Sequence, residues 1–285
     1  MRTTKPKSHL KLASAVLIAL SVLAGALSSE AAPTIITSPK PVAKVPQKRW
    51  TLPMTLETSS TLHAQDAYER QAMTSLSLAP SYLISRGLKL SVATMIYKED
   101  TGAGNSGVDN TLIALSLAKP LTKETSWFGT LGAIAPTNEE LRDQTSYQGA
   151  ARLGGGLNFA NLIFDSSLRY VLNYTRNFHE FSQTASGGFN VRQTLVQTLE
   201  YTLPFNDQWS LQTVFSYTYG LTYQDDMRTK FYAGADINWS VMKNLIITAG
   251  TSNEGNALKP NGSDSNINFY DDTSSVVKLG ITYVL

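Results

Sequence analysis

From Trp50 onward the chain alternates large apolar residues with polar or small ones, a period of two that belongs to extended strands rather than helices. In 50–63, WTLPMTLETSSTLH, one parity holds Trp50, Leu52, Met54, Leu56 and Leu62, and the other holds Thr51, Thr55, Glu57, Thr61 and His63. The same alternation marks 73–85, 88–99, 162–176, 208–223 and 230–241, and more weakly 111–121, 125–137, 148–160, 190–204, 245–254 and 274–285. The pattern predicts twelve strands and no helix beyond the first 31 residues, an all-β fold.

The connections predict how these strands are arranged. Tight turns at 86–87, 122–124, 161, 205–207 and 242–244 alternate with longer polar loops at 64–71, 100–110, 138–147, 177–189, 224–229 and 255–273. Short turns on one side and long loops on the other are the signature of a transmembrane β-barrel. Every unpaired backbone group in hydrocarbon costs several kcal/mol, so such a sheet must close, the last strand pairing with the first. Trp50, Trp127, Trp209 and Trp239 then fall at one level on the apolar parity, an interfacial belt, with Tyr174, Tyr219, Tyr223 and Phe231 expected near the opposite interface. Two stretches strain this reading. Pro80 sits mid-strand on the lipid-facing parity, where its missing N–H breaks the ladder unless a bulge accommodates it, and Gln193 and Gln197 share the parity of Leu195, Leu199 and Tyr201, so strand 190–204 either contains a bulge or is less exposed to lipid.

The first residues say where the chain goes. Arg2, Lys5, Lys7 and Lys11 precede an apolar run from Ala13 to Leu27 and a small-x-small pattern at Ser29-Glu30-Ala31. Residues 1–31 read as a cleaved N-terminal signal peptide, too short to span as an anchor, and the Pro-rich 32–49 as a periplasmic leader to a barrel over 50–285. Cleavage removes four basic residues and one acid, so the mature chain is close to neutral and lacks the basic footprint of nucleic-acid binding. The absence of cysteine excludes disulfides, thiolate metal sites and thiol nucleophiles.

The stretch VVKLGITYVL, 276–285, resembles the C-terminal assembly signal of Gram-negative outer-membrane β-barrel proteins: a polar residue, Gly, an aromatic or apolar residue and a terminal hydrophobe at set spacing. Lys278, Gly280, Tyr283 and Leu285 fill those places, with Leu where Phe is commonest. The resemblance implies a twelve-stranded antiparallel barrel in the outer membrane, in contact with its lipids, whose last strand is read by the barrel-assembly machinery. Outer-membrane phospholipases are also twelve-stranded, but they place Ser and His two residues apart. His179 and Ser182 are three apart and point to opposite faces of a strand, and His63 and His179 read as a solvated strand end and a loop residue, so catalysis is the least favoured reading.

The acidic, Gly-rich loops 100–110 and 255–273 lack a recognised calcium spacing and read as solvated surface; no metal or cofactor is implied. By parity the lumen receives Glu57, Lys89, Arg152, Asp165, Arg169, Arg192, Glu200, Asp236 and Lys278. Charges on that face are tolerated where water or a partner meets them. The favoured function is a narrow, porin-like passive channel for small polar or charged solutes, with Arg152, Arg169 and Arg192 attracting anionic groups. The alternative is a non-conducting structural barrel acting through its outer loops, above all 255–273. An autotransporter translocator comes third, with no passenger segment ahead of the barrel.

Overall fold

The computed structural model describes residues 49–63, 70–101, 104–259, 262–272 and 274–285. The expected signal peptide and almost all of the leader lie outside them. Twelve staves form one antiparallel sheet: β1 (Trp50–Thr51 and Pro53–Thr61), β2 (Ala72–Leu78 and Ser81–Ser85), β3 (Leu88–Glu99) and β4 (Thr111–Pro120). Next come β5 (Thr125–Ala135), β6 (Tyr147–Phe159), β7 (Ser167–His179) and β8 (Val191–Pro204). The ring is completed by β9 (Trp209–Thr222), β10 (Met227–Met242), β11 (Leu245–Asn256) and β12 (Val276–Val284). Each stave pairs with its neighbours in chain order, and β12 pairs with β1 from Val276↔Thr61 to Val284↔Pro53. Leu52 and Leu285 exchange both backbone hydrogen bonds, at 3.2 and 3.1 Å, which closes the seam at its lower end. The sheet therefore has no free edge, the condition for standing in hydrocarbon.

The two faces differ as the alternation requires. On the outside, Leu131 and Leu153 are register partners, 62% and 61% exposed, and Leu56, Leu90, Ile96, Ile113, Leu115, Leu279 and Ile281 are likewise bare. No packed core covers these side chains, so the bilayer is what solvates them. No described helix is long and apolar enough to cross a membrane, and the strands do so instead. Trp50, Trp127 and Trp209 lie within the first three residues of β1, β5 and β9, and Trp239 three residues before the end of β10, so all four line the short-turn rim. Trp209 and Trp239 are register partners with stacked rings 5.5 Å apart. The seven-residue helix α1 (Glu139–Thr145) sits in a long loop, capped by Asn138 Oδ1, which accepts from Leu141 N–H at 2.9 Å.

Several expectations are corrected. Pro80 needs no bulge. The register is the same on both sides of it, Leu78↔Thr94 and Ser81↔Ser91, and β2 is only interrupted while Val92 N–H still reaches Pro80 O at 3.0 Å. Residues 162–166 are not strand. A 3-10 turn, Ile163–Asp165, follows Asn161, and Asn161, Phe164 and Asp165 all have positive φ, so Ile163 and Phe164 project from the rim. The connection that holds this turn, 160–166, is longer than the four-residue outer connection 223–226, so the short/long alternation fails at those two places. His179 ends β7 rather than lying in a loop.

Candidate functional site in the lumen and outer mouth

The lumen acquires its charge from inward-facing residues that glycines make room for. Asp236 on β10, Gly250 on β11 and Lys278 on β12 lie side by side in register, and Lys278 Nζ donates to Asp236 Oδ2 at 2.9 Å across the bare glycine. A methyl group at position 250 would collide with the Asp236 carboxylate. Glu57 on β1 faces Gly280 and lies within electrostatic reach of both charges. Gly280, a position of the assembly motif, lies beside this carboxylate, and a methyl group there would stand 3.8 Å from Glu57 Oε2, in ordinary contact.

On the far wall, Arg169 on β7 pairs with its register partner Glu200 on β8 at 3.2 Å and lies over the Phe128 ring, 4.9 Å from its centroid. Gly156 admits that ring, since a methyl there would stand 2.8 Å from it. Lys89 on β3 is close enough to feel the Arg169 charge. Arg152 on β6 donates from Nε to Thr175 Oγ1 at 3.2 Å, and Arg192, the extra residue of a bulge in β8, pairs with Asp225.

The three arginines therefore stand on adjacent staves at three depths: Arg192 at the outer end of β8, Arg152 midway along β6, and Arg169 two residues from the inner end of β7. The Arg169–Glu200 pair joins adjacent staves and the Lys278–Asp236 pair joins staves one apart, so both run along the wall rather than across the lumen. The wall between is hydroxyl-rich and close-packed, with Thr198 and Ser216 3.2 Å apart and Thr198 fully buried. Two of the expected lumenal residues depart from the regular inner wall: Asp165 lies exposed in the 3-10 turn at the inner rim, and Arg192 sits in the β8 bulge at the outer end.

At the outer mouth the staves and loops enclose a cavity of about 340 Å³, bordered by Asp109, Arg152, Asn177, His179, Asn190 and Arg228. A bulge between Phe178 and His179, beside Gly149 at φ 126°, turns Tyr147 inward against His179, with ring centroids 5.5 Å apart. Tyr223, expected at the lipid interface, instead meets the other edge of His179 at 5.8 Å. Asn190 is buried and donates to the carbonyls of Thr145, Phe181 and Gln183, which ties α1 to the β7–β8 loop. Arg228 escaped the sequence reading because 224–229 looks like loop, whereas β10 starts at Met227 and continues its inward parity through Arg228.

Outside, Gln193 and Gln197 do face away from the lumen, and tyrosines cover them: Tyr174 Oη donates to Gln193 Oε1 at 3.0 Å and Tyr170 Oη to Gln197 Oε1 at 3.1 Å. The β11–β12 loop folds back onto this face. Asn253 Nδ2 donates to Asn268 O at 2.7 Å, Ser274 Oγ meets Asn253 Oδ1 at 3.2 Å, and the Phe269 ring reaches Phe215 at 6.0 Å. Phe231, Ala233 and Ala257 are buried in this region, so Phe231 is not the open interfacial aromatic expected. Phe269 and Tyr270 take that place, 73% and 64% exposed. Among the described residues no group of three or more His, Asp or Glu is placed to hold a metal ion.

No protein-family model and no curated protein matches the sequence. Solved structures do match its fold. The COG4313 outer membrane channel from Pseudomonas putida F1 superposes with a TM-score of 0.60 at 15% identity, over 87% of this chain and 100% of that one. The NanC porin superposes with a TM-score of 0.50 at 9% identity, over 81% and 98%. At these identities the likeness is one of fold: the chain is a twelve-stranded barrel of the outer-membrane kind.

Proposed function

We propose that the protein is a narrow passive channel of the outer membrane for small polar or charged solutes, its cationic wall favouring anionic groups. The observation that carries this reading is the arginine ladder. Arg192, Arg152 and Arg169 descend one wall of β6–β8 from mouth to base, while Glu57 and Asp236 stand on the β1–β10 side. Charged groups of both signs along the lumen wall, Arg169 beside Glu200 and Asp236 beside Lys278 among them, set up fields along the path that sort solutes by charge. Because the ion pairs lie along the wall, they stabilise the barrel without bridging its centre. In this reading β12 also serves insertion, with Lys278, Gly280, Tyr283 and Leu285 presented to the barrel-assembly machinery.

Single-channel recording in planar bilayers tests the proposal: discrete conductance steps with anion preference, and a shift toward cations in Arg169→Glu. A filled, non-conducting barrel is the second reading, favoured by the burial of Thr198, Ser216 and Thr282 on the lumenal face. It predicts silence in the same recording, for the wild type and the variant alike.

A further inference from the structure

The outer-mouth cavity has the chemistry of a binding site rather than of a plain vestibule. We propose that it binds a small organic monocarboxylate with an apolar body, captured before entry to the lumen. Its volume of about 340 Å³ lies within the range of small-ligand sites. Two arginines border it from different walls, Arg152 on β6 and Arg228 on β10, and a planar guanidinium matches a carboxylate with two parallel hydrogen bonds. The rest of the lining is mixed: Ile134, Leu141, Phe189 and Val191 stand among Asn110, Thr145 and Thr184 and offer an apolar surface that a simple inorganic anion would leave unsatisfied.

Asp109 borders the same cavity. Its Oδ1 already accepts the Asn110 N–H at 2.7 Å, which holds the carboxylate in place. Around the site the framework is braced: Asn190 is fixed by three carbonyls, Asn177 Nδ2 donates to Val191 O at 2.9 Å, and Arg152 Nε is steered by Thr175. A cavity lined this way is pre-organised, which lowers the cost of binding.

The site deepens the channel reading and draws its purpose from it, but binding and conduction are measured separately, so one can fail without the other. The probe is benzoate, titrated by calorimetry into the full-length detergent-solubilised protein at low salt, with benzyl alcohol as its neutral counterpart and inorganic phosphate as a second anion. The expected result is saturable one-site benzoate binding, with benzyl alcohol and phosphate each at least about tenfold weaker. Loss of a charge-assisted contact is worth on the order of tenfold or more, so Arg228→Gln is expected to weaken benzoate binding by that factor, and Arg228→Lys by less. Arg176→Gln, on the lipid-facing side of β7, serves as the control and leaves binding within about twofold. Folding of each variant is checked by its heat-dependent gel mobility. The proposal is overturned by any of three results: no saturable benzoate binding to the wild type, unchanged affinity in a folded Arg228→Gln, or phosphate binding as tightly as benzoate. Conductance without benzoate binding would refute the site and spare the channel; binding without conductance would do the reverse.

Discussion

Leu131→Lys probes the bilayer as the solvent of the outer face. Leu131 points outward from β5, four residues above Trp127, between its register partners Leu115 and Leu153, which are also exposed. A strand rising about 3.3 Å per residue with a tilt of about 40° climbs roughly 2.5 Å per residue, which puts Leu131 about 10 Å above the tryptophan rim. In an apolar band about 25 Å tall this is close to the midplane, too deep for a lysine to bring its ammonium fully to water. The expected cost is about 2–4 kcal/mol. The same substitution at Ile237, two residues from Trp239, is expected to cost about 1 kcal/mol, and at Leu121, in a turn, about 0–1 kcal/mol. Reversible denaturant unfolding in lipid vesicles, followed by tryptophan fluorescence, measures all three. Equal costs at the three depths, or less than about 1 kcal/mol at Leu131, would refute the assignment of that face to lipid.

The other predictions concern the devices that hold the barrel in shape. Gly250→Val would force the Asp236 carboxylate away from Lys278 and strand two half-enclosed charges, at a cost of about 3 kcal/mol in the same unfolding assay; a neutral result would show that the pair contributes nothing. Tyr174→Phe leaves Gln193 Oε1 without its hydroxyl on the lipid side, and unfolding should show a loss of about 1 kcal/mol. Asn253→Leu removes the anchor of the β11–β12 loop, so limited chymotrypsin digestion is expected to cut after Phe269 or Tyr270 several times faster than in the wild type; an unchanged rate would mean that the loop is held by other contacts.

Much of the barrel was legible because lipid reads one residue in two. Leu56, Leu131, Ile237 and Leu279 betray the outward face, and the tryptophans mark one rim independently of the strand count. What could not be read was whatever depends on three-dimensional neighbours. Alternation continues through 162–166 because Leu162 and Phe164 are apolar, yet Asn161 takes a left-handed conformation and starts a turn. Gln193 and Gln197 break the greasy pattern, and only the register with β7 shows Tyr170 and Tyr174 covering them. Tyr147 and Tyr223 share the outward parity but are turned to His179, the first by a bulge and the second by the end of its strand. Of the residues expected in the lumen, parity placed Glu57, Lys89, Arg152, Arg169, Glu200, Asp236 and Lys278 on the inner wall, whereas Asp165 lies in a turn and Arg192 in a bulge. The apolar loop residues Phe269 and Tyr270 gave no periodic signal and are found only by seeing where the loop lies.

The seam between β1 and β12 is the place to test the cylinder itself. Thr55 and Thr282 are register partners on its inner face, with hydroxyl oxygens 2.8 Å apart. Counting from the doubly bonded pair Leu52 and Leu285, they form a non-hydrogen-bonded pair, the closer of the two antiparallel spacings and one that a disulfide can bridge. The native chain has no cysteine, so Thr55→Cys with Thr282→Cys introduces the only two thiols. A closed barrel predicts near-complete intramolecular crosslinking on mild oxidation of the protein in outer-membrane preparations, seen as a reductant-sensitive mobility change on a denaturing gel. Two thiols that stay free in folded, membrane-inserted protein would mean that the first and last strands are apart, and the closed barrel would be wrong.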